Sequence, residues 1–124
     1  MMILVDSSVW IEFFKKGNDK LEQLIQENLA CTNELILTEL LPIFQKQNNQ
    51  DIIEGMLALP TIPLNIDWEI IRKYQLLNLQ NGINKVGIPD IIILQQVLEN
   101  KLELFTLDKH FLLMQGIYDI QLFR

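Results

Sequence analysis

Histidine and cysteine occur once each in this chain of 124 residues, as His110 and Cys31. A single thiol cannot close an internal disulfide, and it suits a reducing compartment. One imidazole and one thiol do not make a structural zinc site. A Ser-His-Asp triad has weak support, since there is one histidine and no nucleophile elbow. Glycine-rich phosphate loops of the P-loop or dinucleotide type are missing as well. The apolar runs, such as Ile91–Leu94, are too short to span a bilayer. The N-terminal apolar stretch has no charged segment before it and stops at Asp6, which speaks against a signal peptide. A cytoplasmic location is therefore expected. Cations are scarce, with 10 Lys and Arg against 16 Asp and Glu and a net charge of −6. A module that binds nucleic acid mainly by neutralising phosphates is usually basic, so that class is disfavoured. A metal-dependent enzyme is not, because its ligands are themselves acidic. An acidic surface also suits a basic partner.

The chain is 49% hydrophobic, enough to bury a core, and its length predicts one domain over residues 1–124. No repeat, linker or low-complexity tract interrupts it. Short strands are predicted at Met2–Val5, Leu29–Cys31, Thr61–Leu64, Leu102–Thr106 and Tyr118–Phe123. Leu21, Leu24, Ile25 and Leu29 follow helical spacing between the first two. Asp67 reads as the N-cap of a long helix reaching about Gln80, with Gly82 as its stop. Pro89 suits the first turn of a further helix ending near Asn100. Alternating strands and helices predict an α/β fold with a mostly parallel sheet. Ligands of such sheets bind beyond the carboxyl ends of the strands, where Asp6 and Asp108 fall.

Four carboxylates stand out, each with an ordinary reading beside the chemical one. Asp6, after the first strand, is a possible helix cap, although Ser7 or Ser8 would cap equally well. Asp90 lies on one helical stripe with Leu94 and Val97, while Gln95, Gln96, Glu99 and Asn100 collect opposite. The helix dipole favours an acid there, but an inward-facing charge needs a partner or a cation. Glu39 aligns with Leu35 and Ile43 in an apolar stripe, though Pro42 is expected to kink or end that helix. Asp108 alone is best read as a cap. Together the four would meet at one sheet edge, where only cations or protons neutralise them. Oxygen-only clusters suit Mg²⁺ or Mn²⁺, and paired sites can clamp the attacking and leaving oxygens of a phosphodiester. His110, next to Lys109, reads as a surface pair.

In this order, "ILVDSSVWIEFF", "LTELL", "GIPDIIIL" and "LFTLDKHF" resemble a PIN domain, more narrowly the VapC-type ribonuclease toxins of toxin–antitoxin systems. The resemblance spans essentially the whole chain. It implies a three-layer α/β/α fold and an endoribonuclease dependent on Mg²⁺ or Mn²⁺. It also implies an RNA substrate, a cognate antitoxin and a homodimer. Carried over residue by residue, it assigns catalysis to Asp6, Glu39, Asp90 and Asp108. Asp6, Asp90 and Asp108 become metal ligands, and Glu39 orients the attacking water or helps hold a second ion. Ser8 and Thr106 fix the carboxylate rotamers. Two departures are visible. Ile92-Ile93-Leu94-Gln95-Gln96 replaces the small residues usual after the third acid, and Lys85 is the only cation in the segment before Asp90. Lys109 reads as a solvated lysine. For a dimer face only Phe14 and Ile92 look exposed and apolar.

Two other readings compete. One is an inert module of the same fold whose acidic pocket holds a basic partner peptide. The other is a phosphoacceptor receiver-like domain, disfavoured because one acid follows the first strand, Asp67 is explained as a cap, and only Arg124 follows the last strand.

Overall fold

The computed structural model describes residues 2–124. The chain runs β1 (Ile3–Val5), α1 (Ser7–Lys16), α2 (Asp19–Gln26), β2 (Ala30–Cys31), α3 (Glu34–Lys46) and α4 (Gln50–Leu57). It continues as α5 (Trp68–Gln80), α6 (Ile88–Asn100), β3 (Glu103–Phe105), α7 (Lys109–Met114) and β4 (Gln121–Leu122). The four strands form one parallel sheet in the order β2-β1-β3-β4, flanked by helices. This is the three-layer α/β/α arrangement. All of β1 is buried, as a central parallel strand covered by helices on both faces must be.

The strand order reverses direction between β1 and β3. Their carboxyl ends, Val5 and Phe105, stand side by side in register, and the Asp6 amide closes the gap with a 2.9 Å bond to the Phe105 carbonyl. That edge is the switch point at which open α/β sheets hold ligands.

Helix α6 carries the third acid to this edge. Every residue from Ile91 to Val97 is buried, the pattern of a helix covered all round. Gln95 and Gln96 are therefore not on an open face, and their amides are fully used. Gln96 Nε2 donates to the carbonyls of Ile62 and Pro63, and its Oε1 accepts from Asn33 Nδ2 at 2.7 Å. Gln95 Nε2 donates to the Asn65 carbonyl and to Glu99, and its Oε1 accepts from the Asp67 amide.

These bonds explain why the strand predicted at Thr61–Leu64 does not form. Only an isolated bridge joins Thr61 to Thr32. Pro60 and Pro63 have no amide hydrogen to give a ladder, and the Ile62 and Pro63 carbonyls are taken by Gln96. Two further expectations change. Helix α3 runs through Pro42, because Leu40 and Phe44 on either side of it are buried. Ile92 is buried, and Phe14 is half-buried against Phe44 with ring centroids 5.2 Å apart, so neither is the exposed apolar residue expected. Asp67 does cap α5, accepting from the Glu69 and Ile70 amides. Pro89 sits in the first turn of α6.

Candidate metal centre at the sheet edge

Asp6 stands at the N-cap of α1 but its side chain caps nothing. Buried at 4% exposure, its Oδ2 instead accepts from the hydroxyls of Ser8 and Thr106, both at 2.8 Å. Each hydroxyl accepts in turn from a backbone amide of the 106–108 segment. The Leu107 amide donates to Ser8 at 3.0 Å and the Asp108 amide to Thr106 at 3.0 Å. Asp6 is thus clamped through one oxygen, leaving Oδ1 for another use. Two hydrogen bonds to the same oxygen hold this carboxylate in one rotamer.

Asp108 begins α7 and does act as its cap, accepting from the His110 amide at 2.9 Å. Its Oδ1 also lies 3.0 Å from His110 Nδ1. Asp90 occupies the first turn of α6, which the Gly87 backbone starts without any side-chain cap. Asp90, Asp108 and His110 are all half-buried, and each presents a ligand atom within 4.8 Å of the others. Asp6 and Glu39 lie outside that tight trio, yet their charges reach it. Burial, then the negative charges of Asp108, Asp6 and Glu39, push the Asp90 carboxyl up to about 6, with His110 acting in the opposite sense.

Glu39 differs from its predicted placement. Its stripe, with Leu35 and Ile43, is not the inward one. The buried face of α3 is Ile36, Leu37, Leu40 and Phe44, and Glu39 and Ile43 are exposed. The stripe of Glu39 therefore lies one step around α3 from the buried face. Partial desolvation and the Asp6 charge nonetheless push the Glu39 carboxyl above its usual range. It reaches the acidic edge from the rim.

Two kinds of residue at the site escaped the sequence pattern. His110 read as a surface partner of Lys109, but the first turn of α7 folds it back onto Asp108. In the sequence Lys85 is the cation closest before Asp90. Lys20 and Arg124 in fact line a cleft of about 360 Å³ shared with Thr106 and Asp108, and Lys16 joins Lys20 in the adjoining hollow. Spacing alone does not bring residues 20 and 124 to the same cleft.

The chemistry of the donor set decides what fits here. Several carboxylates, one of them left with its proton affinity raised by its neighbours, call for positive charge. Oxygen donors with at most one nitrogen suit a hard or borderline divalent ion. The open side chains are Asp90, Asp108, the free oxygen of Asp6 and, from the rim, Glu39.

A parallel four-stranded sheet with acids gathered at its switch point defines the class, and sequence comparison agrees: the PIN domain family model matches residues 3–116. The chain belongs to the PIN domain family. Its fold resembles chains in solved toxin–antitoxin structures. One is VapBC2 from Rickettsia felis bound to a promoter DNA fragment, at 19% identity and TM-score 0.77 over 99% of this chain and 98% of that one. Another is DNA-bound VapBC from Salmonella typhimurium, at 17% identity and TM-score 0.78 over 99% and 97%. A third is VapBC-1 from nontypeable Haemophilus influenzae, at 18% identity and TM-score 0.76 over 99% and 97%. No curated protein matched the sequence. Among the described residues no helix is long and apolar enough to cross a membrane.

Proposed function

We propose that this single-domain chain is a metal-dependent endoribonuclease serving as the toxin of a toxin–antitoxin pair. The observation that carries the reading is the gathering of carboxylates at the β1/β3 edge, where Asp90 and Asp108 offer ligand atoms within 4.8 Å of each other and the charges of Asp108, Asp6 and Glu39 all bear on Asp90. Asp6, Asp90 and Asp108 are the proposed ligands of Mg²⁺ or Mn²⁺, and Glu39 is proposed to orient a water or help hold a second ion. A divalent ion held there would acidify the nucleophilic water and offset charge gathering on the scissile phosphate. Ser8 and Thr106 keep the Asp6 carboxylate in one rotamer, as groups behind a metal ligand commonly do. Lys20 and Arg124 supply positive charge along the neighbouring cleft, where a phosphate backbone can lie.

The test is cleavage of an RNA pool by tag-free protein with Mg²⁺ or Mn²⁺, with and without EDTA. Asp6→Asn and Asp90→Asn should each reduce cleavage by at least a hundredfold while the circular dichroism stays unchanged. Undiminished cleavage by either folded variant would sink the assignment.

The antitoxin is proposed to dock away from this edge. A groove of about 190 Å³ lies between Trp10, Phe13, Ile25, Ile52 and Met56, with Asp51 at its rim. The lining is mostly apolar, with Asp51 its one charged residue. An amphipathic antitoxin helix with a basic residue for Asp51 fits that lining.

A further inference from the structure

His110 has no part in the ligand set proposed above, yet it is the residue nearest to joining it. Its Nδ1 lies 3.0 Å from Asp108 Oδ1, and one of its ring nitrogens falls within 4.8 Å of donor oxygens on both Asp90 and Asp108. Neighbouring ligands of an octahedral ion, each about 2.1 Å from it, stand about 3.0 Å apart. The imidazole nitrogen and the Asp108 oxygen therefore already have the spacing of a bonded ligand pair. Local structure keeps them there. The Asp108 oxygen is fixed by the His110 amide, and the Asp108 amide is tied to Thr106, so the α7 turn holds both side chains at the acidic edge.

Resting on the metal-dependent reading, we propose that His110 is a nitrogen ligand of the same ion, making a site of carboxylates and one imidazole that holds Mn²⁺ in preference to Mg²⁺. Mg²⁺ demands oxygen donors and gives up its waters reluctantly, whereas Mn²⁺, although also at home among carboxylates, is a first-row transition ion and accepts an imidazole nitrogen more readily than Mg²⁺ does. The competing account is that His110 only hydrogen-bonds Asp108 and stiffens the start of α7. The two differ in what the ion itself would feel.

Because the sequence has one histidine, any imidazole signal from tag-free protein belongs to His110. The experiment is pulsed electron paramagnetic resonance of bound Mn²⁺, on protein made with ordinary and with ¹⁵N-labelled histidine. Calorimetric titration of Mn²⁺ and of Mg²⁺ into wild type and His110→Gln accompanies it. We expect a nitrogen coupling that changes with the label and vanishes in His110→Gln. Mn²⁺ affinity should fall about tenfold in that variant, and Mg²⁺ affinity by less than twofold. Tight Mn²⁺ binding without nitrogen coupling overturns the proposal and leaves the carboxylate site standing, as does equal affinity of wild type and variant. If wild type binds neither ion, the metal-dependent reading itself fails, and this proposal with it.

Discussion

Asp90 illustrates how a single side chain can work against the fold that holds it. Its carboxyl rises from an ordinary 3.8 to about 6, through burial first and neighbouring acids second. The folded state therefore binds its proton more tightly than the unfolded state. Any stability from this group is fully present below pH 4 and is lost as pH rises through 6. A shift of about two units corresponds to about 3 kcal/mol, which partial solvent screening reduces to about 1–2 kcal/mol. Asp90→Asn should make the ion-free protein more stable at pH 7 by about that amount, and should flatten its pH dependence between 4 and 6. Urea denaturation in EDTA measures both. A destabilised Asp90→Asn would mean that the charge already has a partner. The inward position of Asp90 was legible because Leu94 and Val97 mark its stripe. His110 was not, because a cap turn leaves no periodic signature, and Glu39 was misplaced because its apolar neighbours Leu35 and Ile43 lie beside the buried face of α3.

At the scale of elements, the polar clamp between α3 and α6 replaces a missing strand. Asn33 caps α3 by accepting from the Ile36 amide at 2.8 Å and donates to Gln96 Oε1, all of it buried. Gln96 then holds the segment around Ile62 and Pro63. Asn33→Ala removes a cap and leaves a buried acceptor unpaired, so we expect a loss of about 2–4 kcal/mol, read from the urea midpoint. A change below 0.5 kcal/mol, about the effect of an ordinary surface substitution, would show that the clamp is dispensable. The four strands that did form were legible from short apolar runs ending at polar residues. The fifth was not, since alternation in "TIPLN" cannot reveal that a distant glutamine claims its carbonyls. Pro42 misled in the other direction. A proline inside a helix costs about 3 kcal/mol or more, but the buried side chains of Leu40 and Phe44 outweigh it.

For the whole molecule, catalysis and partner binding are proposed to occupy separate faces, and Gly55 allows them to be separated by experiment. It lines the groove near Trp10, and a side chain built there would meet no atom within 4 Å. Gly55→Arg should leave folding and RNA cleavage intact while abolishing binding to the product of an adjacent small reading frame, measured by co-purification and by relief of inhibition. Retained inhibition would move the docking site elsewhere. Charge acts at this scale as well. With a net charge of −6, the molecule repels a polyanion overall, so on the proposed reading attraction would have to come from local cations such as Lys20 and from a divalent ion at the acidic edge.

The clamp on Asp6 also has a temporal side. Its two hydroxyls come from positions 8 and 106, and the β1–β3 pairing beneath it joins the two ends of the chain. In translation Asp6 is made well before Thr106, which follows it by 100 positions, and before the Asp108–His110 turn. A chain that has not yet reached residue 110 therefore carries its first acids without an assembled cluster. The topology itself makes the cluster wait on that segment.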